Sequence, residues 1–319
     1  MAAAVAGRHA GGFIVELDEP GTSRTSSLGA LLASIIRRRV EDLALLGGAA
    51  GASQDEVIHE LRLATKELRA YLRLFRLPEC RVFREREGRR LRAIARGLAS
   101  NRDPLVIRET LEELAHQCDK FRTRHSIHRV LIHMGGQRVA SGRRPLSIGA
   151  AMVRLQSTAR ALVRRLGAGL PEPVLVEALR HEYRRTRNIT RKVRRDPDVA
   201  SWHRWRKHVK ALHYQIRWLL PRRAGWLGRL ARKSWKLQAL LGRYHDLHLA
   251  RKCLRRLRVD PINRSCREQT VRWLDRSLAR LERRVRRETR NFLLHPPRWF
   301  AKRLPTFGGN QSPTEIAAP

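Results

Sequence analysis

Residues 59–73 read HELRLATKELRAYLR, and residues 203–217 read HRWRKHVKALHYQIR. At a constant offset of 144, His59 aligns with His203, Arg62 with Arg206, Lys66 with Lys210 and Arg73 with Arg217, while Arg69 meets His213. In each copy these positions advance by 3, 4, 3 and 4 residues, so an α-helix carries all five on one face. Beside each basic row runs an apolar one: Leu61, Leu68, Leu72 and Phe75 in the first copy, Trp202, Val209, Ile216 and Leu220 in the second. Adjacent apolar and cationic faces suit a helix that packs on a core and lines a groove. Like charges so spaced oppose helix formation by about 0.2–0.5 kcal/mol per pair, a cost that a bound polyanion or acidic neighbours would offset. A solvated basic face explains one such row; the same row twice explains itself less well that way.

A second match holds nearly the same offset. Asn101-Arg102-Asp103 lies opposite Tyr244-His245-Asp246, and Arg108, Leu111 and Leu114 then meet Arg251, Leu254 and Leu257, all at 143. Two motifs at nearly one offset imply an internal duplication. Apolar residues recur at helical steps through most of the chain, and helices are expected over 55–76, 79–99, 104–134, 146–166, 173–195, 199–220, 226–242, 247–257 and 263–294. Prolines 104, 171, 173, 221 and 261 fall at the joints. Residues 135–145 read as an internal linker, and residues 1–45 and 301–319 as weakly ordered tails. The expected fold is all-α, with half-domains over about 46–168 and 169–300.

Lys and Arg number 68 against 29 Asp and Glu, a formal net charge of +39. Such an excess attracts polyanions: nucleic acid, an anionic membrane or a phosphate polymer. Hydrophobic residues make up 42% of the chain, too many for a disordered basic tail. Cys80, Cys118, Cys253 and Cys266 form no CxxC pair, which indicates neither a zinc ribbon nor a disulfide framework and fits a reducing, cytoplasmic setting. No run approaches the roughly 18 apolar residues of a membrane span.

Both basic rows resemble the signature of the CHAD family, the conserved-histidine α-helical domain. The first resembles it in His59-x-x-Arg62-x-x-x-Lys66-x-x-Arg69, the second in His203-x-x-Arg206-Lys207-x-x-Lys210-x-x-x-Tyr214. Tyr183-Arg184-Arg185-x-Arg187, Leu237-Gln238-x-Leu240-Leu241-Gly242-x-x-x-Asp246 and Arg102-Asp103 are similar too, so the likeness covers about residues 50–295. The resemblance implies two pseudo-symmetric four-helix-type bundles with a basic cavity between them. It also implies binding of inorganic polyphosphate, with polyphosphate granules and their proteins as candidate partners. Carried over residue by residue, one wall would be His59, Arg62, Lys66, Arg69 and Arg73. The other would be His203, Arg206, Lys207, Lys210, His213, Tyr214 and Arg217, with Arg184 and Arg187 from the preceding helix. His213 stands where relatives often carry a further basic residue, which would make its share of the charge pH-dependent. Some relatives add a triphosphatase-type barrel with an ExExK strand; this sequence has none, so no enzyme activity and no cofactor are expected.

Nucleic acid is the main rival, since charge alone does not choose between polyanions. The tryptophans at 202, 205, 218, 226 and 235 sit at core-like helical spacing, and no familiar nucleic-acid motif is present. His125-x-x-His128 and His245-Asp246-x-His248 lack further ligands at a diagnostic distance, so no metal is expected. No phosphate loop, HExxH or nucleophile elbow occurs. Asp103 and Asp246 read as helix N-caps or partners of a groove arginine. Residues 272–294 have too narrow an apolar stripe for a membrane surface and read as a last bundle helix; Arg283, Arg284, Arg286 and Arg287 in it have no role beyond long-range attraction.

Overall fold

Ser27 opens the first helix: its Oγ accepts the Ala30 N–H at 3.2 Å, and Leu28–Gly48 (α1) follows. Leu28, Leu32, Ile36 and Leu43 return at helical steps and are buried against Ile148–Gly167 (α6). Residues 28–45 are therefore part of the fold rather than of a weakly ordered tail, anchored by this buried row. The computed structural model describes residues 27–49, 51–98, 103–135, 146–196, 198–219, 225–258 and 261–304. The expected linker at 135–145 lies outside these apart from Gly135, as do residues 1–26 and 305–319 of the expected tails. Residues 301–304 belong to the fold, with Leu304 buried next to the short helix Pro297–Lys302 (α11).

The remaining helices are Gln54–Tyr71 (α2), Arg81–Gly97 (α3), Asp103–His116 (α4), Phe121–Gly135 (α5), Glu172–Arg195 (α7), Val199–Arg217 (α8), Gly225–Arg256 (α9) and Pro261–Glu288 (α10). No strand occurs among the described residues, and the all-α expectation holds. No helix among them is long and apolar enough to cross a membrane. Two boundaries differ from expectation. The run at 104–134 is broken at 117–120, where Arg124 Nε and Nη2 donate to the Cys118 carbonyl (3.1 and 2.8 Å) and the chain folds α5 back on α4. The runs at 226–242 and 247–257 form one helix, α9. Gly242 costs a helix about 1 kcal/mol, and the buried series Leu237, Leu240, Leu241, Tyr244, Leu247 and Leu254 carries the chain through it.

The halves expected at 46–168 and 169–300 are not the packing units. One group is α1, α2, α3 and α6; a second joins α4 and α5 of the first half to α9 and α10 of the second, with α8 packed between them against α2 and α9, and α7 against α8 and α11. Polar clips fix the crossing of halves: Ser126 Oγ donates to Gln269 Oε1 at 2.8 Å, and Gln269 Nε2 to Thr123 Oγ1 at 3.1 Å. Burying these groups without partners would cost more than pairing them gains, so the clips select the register of α5 on α10. Trp202, Trp205 and Trp218 are buried as their spacing predicts, whereas Trp235 is 52% exposed on the outer face of α9.

Candidate functional site

A capping box starts α2: Ser53 Oγ accepts the Glu56 N–H, and the Glu56 carboxylate accepts the Ser53 N–H. Asp198 caps α8 by accepting the Ser201 N–H at 2.7 Å. Leu61, Leu68, Val209 and Ile216 then bury one face of each helix, and α2 packs against α8. Gln215 Nε2 donates to the Ala70 carbonyl across this contact at 2.8 Å. The pairing turns the two basic rows toward each other.

Lys210 lies at the centre. Burial pushes its ammonium well below the ordinary lysine range, and Arg206, Lys66 and Arg62 push the same way against the pull of Asp246. Arg206 is lowered by burial too, opposed by Asp246, and its Nε is buried with no hydrogen-bond acceptor among the described residues. Further along, burial lowers Lys207, with Arg69 and Arg73 adding repulsion, and lowers Arg69, with Arg73 and Arg92 adding theirs. Cations of α2 thus depress Lys207 and Lys210 of α8 across the contact, an arrangement that a bound anion would relieve.

Asp246 sits in the middle of α9, where every neighbouring N–H is already in the helix ladder. The cap expected there does not form, and the carboxylate is the countercharge to Arg206 and Lys210. Asp103 is the first residue of α4, but its side chain, with Arg102, lies outside the described part. Trp202 stacks on Tyr244 at 4.1 Å and seats α8 on α9, which brings His245 to 5.9 Å from His203. Burial, then Arg206, His203, Lys210 and His248, push His245 down to about 4, and burial with Lys207 and Arg206 lowers His203.

Several expected site residues have other work. His213 is 6% exposed, hydrogen-bonded through Nδ1 to Ser234 Oγ of α9 at 3.0 Å, and pushed down to about 4 by burial and Arg217. It is neutral near pH 7 and adds no pH-dependent charge to the wall. Tyr214 is also buried, its hydroxyl pushed up by burial and by Glu67, and lies beneath the cations rather than among them. Arg187 donates to the carbonyls of Leu293 and Leu294 (3.0 and 3.2 Å), fastening the segment before α11. Arg73 donates to Glu182 Oε1 at 3.0 Å, and Arg217 lies 3.8 Å from Glu67 Oε1. Their charge is partly spent inside the protein. His59, Arg69, His203 and Lys207 are exposed; Arg62 donates to the Leu98 carbonyl at 2.7 Å. Arg184 is exposed on α7, hydrogen-bonded to His181 at 3.1 Å, and shares its neighbourhood with Arg76 and Arg185.

Sequence reasoning missed the groups that hold the rows in place. Glu182 of α7 accepts from Arg73 and lies 2.5 Å from His208 Nδ1; burial raises its carboxyl, but the His208 hydrogen bond and Arg73 outweigh this and hold it below the usual range. Arg39 of α1 donates to Glu67 (2.9 Å) and Glu60 (2.7 Å), tying α1 to the basic helix. An isolated Glu in an Arg-rich run gives no sequence signal. Buried, paired on two sides, it fixes orientation. Among the described residues no three His, Cys, Asp or Glu side chains are grouped to hold a metal ion.

The molecule is therefore of the all-α class with cations gathered where two helices pack. It belongs to the CHAD domain family, whose model matches residues 24–255, a family associated with polyphosphate binding. The match begins within a few residues of α1 and ends at the close of α9, so it takes in the first helix and leaves out α10 and α11. Neither the curated proteins nor the solved structures returned a match.

Proposed function

We propose that the chain binds linear inorganic polyphosphate along the α2–α8 track, without turning it over. The observation that carries this reading is the cluster of Arg62, Lys66, Arg206 and Lys210, packed together with Asp246 as the opposing carboxylate. Polyphosphate brings about one charge per phosphate and no bases, so guanidinium forks and ammonium groups suffice to hold it. From the cluster the track runs past Lys207, Arg69 and the paired Arg73 toward Arg76, Arg184 and Arg185. The same electrostatics would carry the protein to polyphosphate granules in the cytoplasm, with granule proteins as partners.

Two measurements follow. Fluorescence titration with a short polyphosphate at several salt concentrations should give log K falling linearly with log salt. By analogy with single-stranded nucleic acid, five neutralised charges set the slope near about −3.5; a slope near zero would remove the electrostatic reading. The second variable is pH. His245 is held down at about 4 in the free chain, and a bound phosphate favours its imidazolium, so its pKa is higher in the complex than in the free chain. Binding then takes up protons between the two values: affinity rises as pH falls through the higher one and levels off below the lower. His203 acts in the same direction. His245→Gln should flatten this dependence several-fold, whereas His213→Gln should leave it as it is.

A further inference from the structure

The C-terminal half of α10 carries Arg280, Arg283, Arg284, Arg286 and Arg287, with Arg290 just beyond it. These six border a surface pocket of about 640 Å³. All are exposed, and none has a carboxylate partner among the described residues. The two acids of the same stretch are turned to α9 instead: Glu288 pairs with Lys236 at 2.9 Å, and Glu282 hydrogen-bonds Tyr244. Arg280 is further fixed over the Trp273 ring at 4.8 Å and by a hydrogen bond to Ser277 Oγ at 3.1 Å. The spacing sets most of these cations at i,i+3 or i,i+4 from another, each such pair opposing the helix. The helix dipole compensates only in the last turn, at Arg286 and Arg287. α10 packs on α9 and α5, and α9 stands between it and α8. The surface is therefore on another helix from the Lys66–Lys210 cluster, with only its Arg290 end nearing α7 through the Arg187–Leu293 contact, and it lies beyond the residues that match the family model.

We infer that this arginine face is a second binding surface for linear polyphosphate, so that the protein holds two short chains, or one long chain at two places. The ligand chemistry rests on the reading of the α2–α8 track given above. Five guanidiniums over the eight helical residues 280–287, about 11 Å at 1.5 Å per residue, with Arg290 just beyond, suit a polymer whose phosphates are joined by single oxygens more closely than a strand with a sugar between them. No exposed aromatic ring of this stretch offers a base a stacking surface: Trp273 lies under Arg280.

Calorimetric titration of the full chain with a short polyphosphate separates the possibilities. Four proteins are compared: wild type; Arg283→Gln, Arg284→Gln, Arg286→Gln, Arg287→Gln; the track variant Lys66→Gln, Lys210→Met; and an equal-charge control, Arg37→Gln, Arg154→Gln, Arg160→Gln, Arg164→Gln, at exposed positions of α1 and α6. Wild type and control should bind two chains, the α10 variant and the track variant one each, with all four showing the same helical circular dichroism. If the α10 variant still binds two, or the control loses a chain as it does, the surface is only part of the general positive field and the inference fails. It also fails if the α10 variant loses duplex DNA while keeping both polyphosphate chains. Loss of a chain in the α10 variant alone, with two kept by the track variant, sustains the inference and overturns the track.

Discussion

Replacing Lys66 by Gln and Lys210 by Met should weaken polyphosphate binding at the α2–α8 track about a hundredfold while leaving the protein more stable. Each lost ammonium gives up a charge-assisted contact of about 1.5–3 kcal/mol, and about 1.4 kcal/mol is tenfold in affinity. Partial exposure of Lys66 reduces its share, so two decades is the sum of a full contribution and a screened one. Stability moves oppositely because the unliganded fold holds Lys210 desolvated beside Arg206, Lys66 and Arg62. Its folded pKa lies below the ordinary 10.5, so between the two values the unfolded chain binds more protons. Stability of wild type therefore climbs as pH rises through that window, and the Met variant should lose the climb. Paired titration and thermal melts check both halves. Unchanged affinity, or a Tm that falls with it, would mean that Lys66 and Lys210 serve the fold and not a ligand.

Leu32→Ala should cost about 2–5 kcal/mol, because a fully buried leucine leaves a cavity between α1 and α6. Removing residues 1–49 should abolish cooperative unfolding altogether. That truncation strips Leu28, Leu32, Ile36 and Leu43 from the core and takes Arg39 from the buried Glu67. Glu67 would keep only the more distant Arg217, at 3.8 Å; breaking a buried ion pair costs up to about 3–5 kcal/mol, and a domain has only about 5–15 kcal/mol in all. Urea denaturation followed by circular dichroism reads the result. A truncated chain that melts like wild type would return α1 to the status of a tail.

The basic rows were legible because they repeat at helical steps and at one offset, and helices α2, α6, α7 and α8 followed from the same periodicity. Residues 28–45 belong to the fold although Arg37, Arg38 and Arg39 follow the apolar run, because Arg39 turns inward to Glu60 and Glu67. Periodicity shows which face a residue occupies and says nothing of what lies opposite. Position 69 is exposed on α2, while position 213, its counterpart at the same offset, is pressed into α9. Likewise Arg187 shares a helix with Arg184, yet the carbonyls of Leu293 and Leu294 claim it. The grouping of helices escaped for a related reason. Internal similarity says which segments are alike, whereas Ser126 and Gln269 decide which of them touch.

Competition at equal phosphate concentration tests the central claim most directly. Wild-type protein is loaded with end-labelled polyphosphate at moderate salt and challenged with unlabelled polyphosphate or duplex DNA. If the α2–α8 cations take a thin, base-free chain as proposed, polyphosphate displaces the label stoichiometrically and DNA leaves most of it bound. Displacement by duplex DNA as effective as by polyphosphate itself would contradict the account.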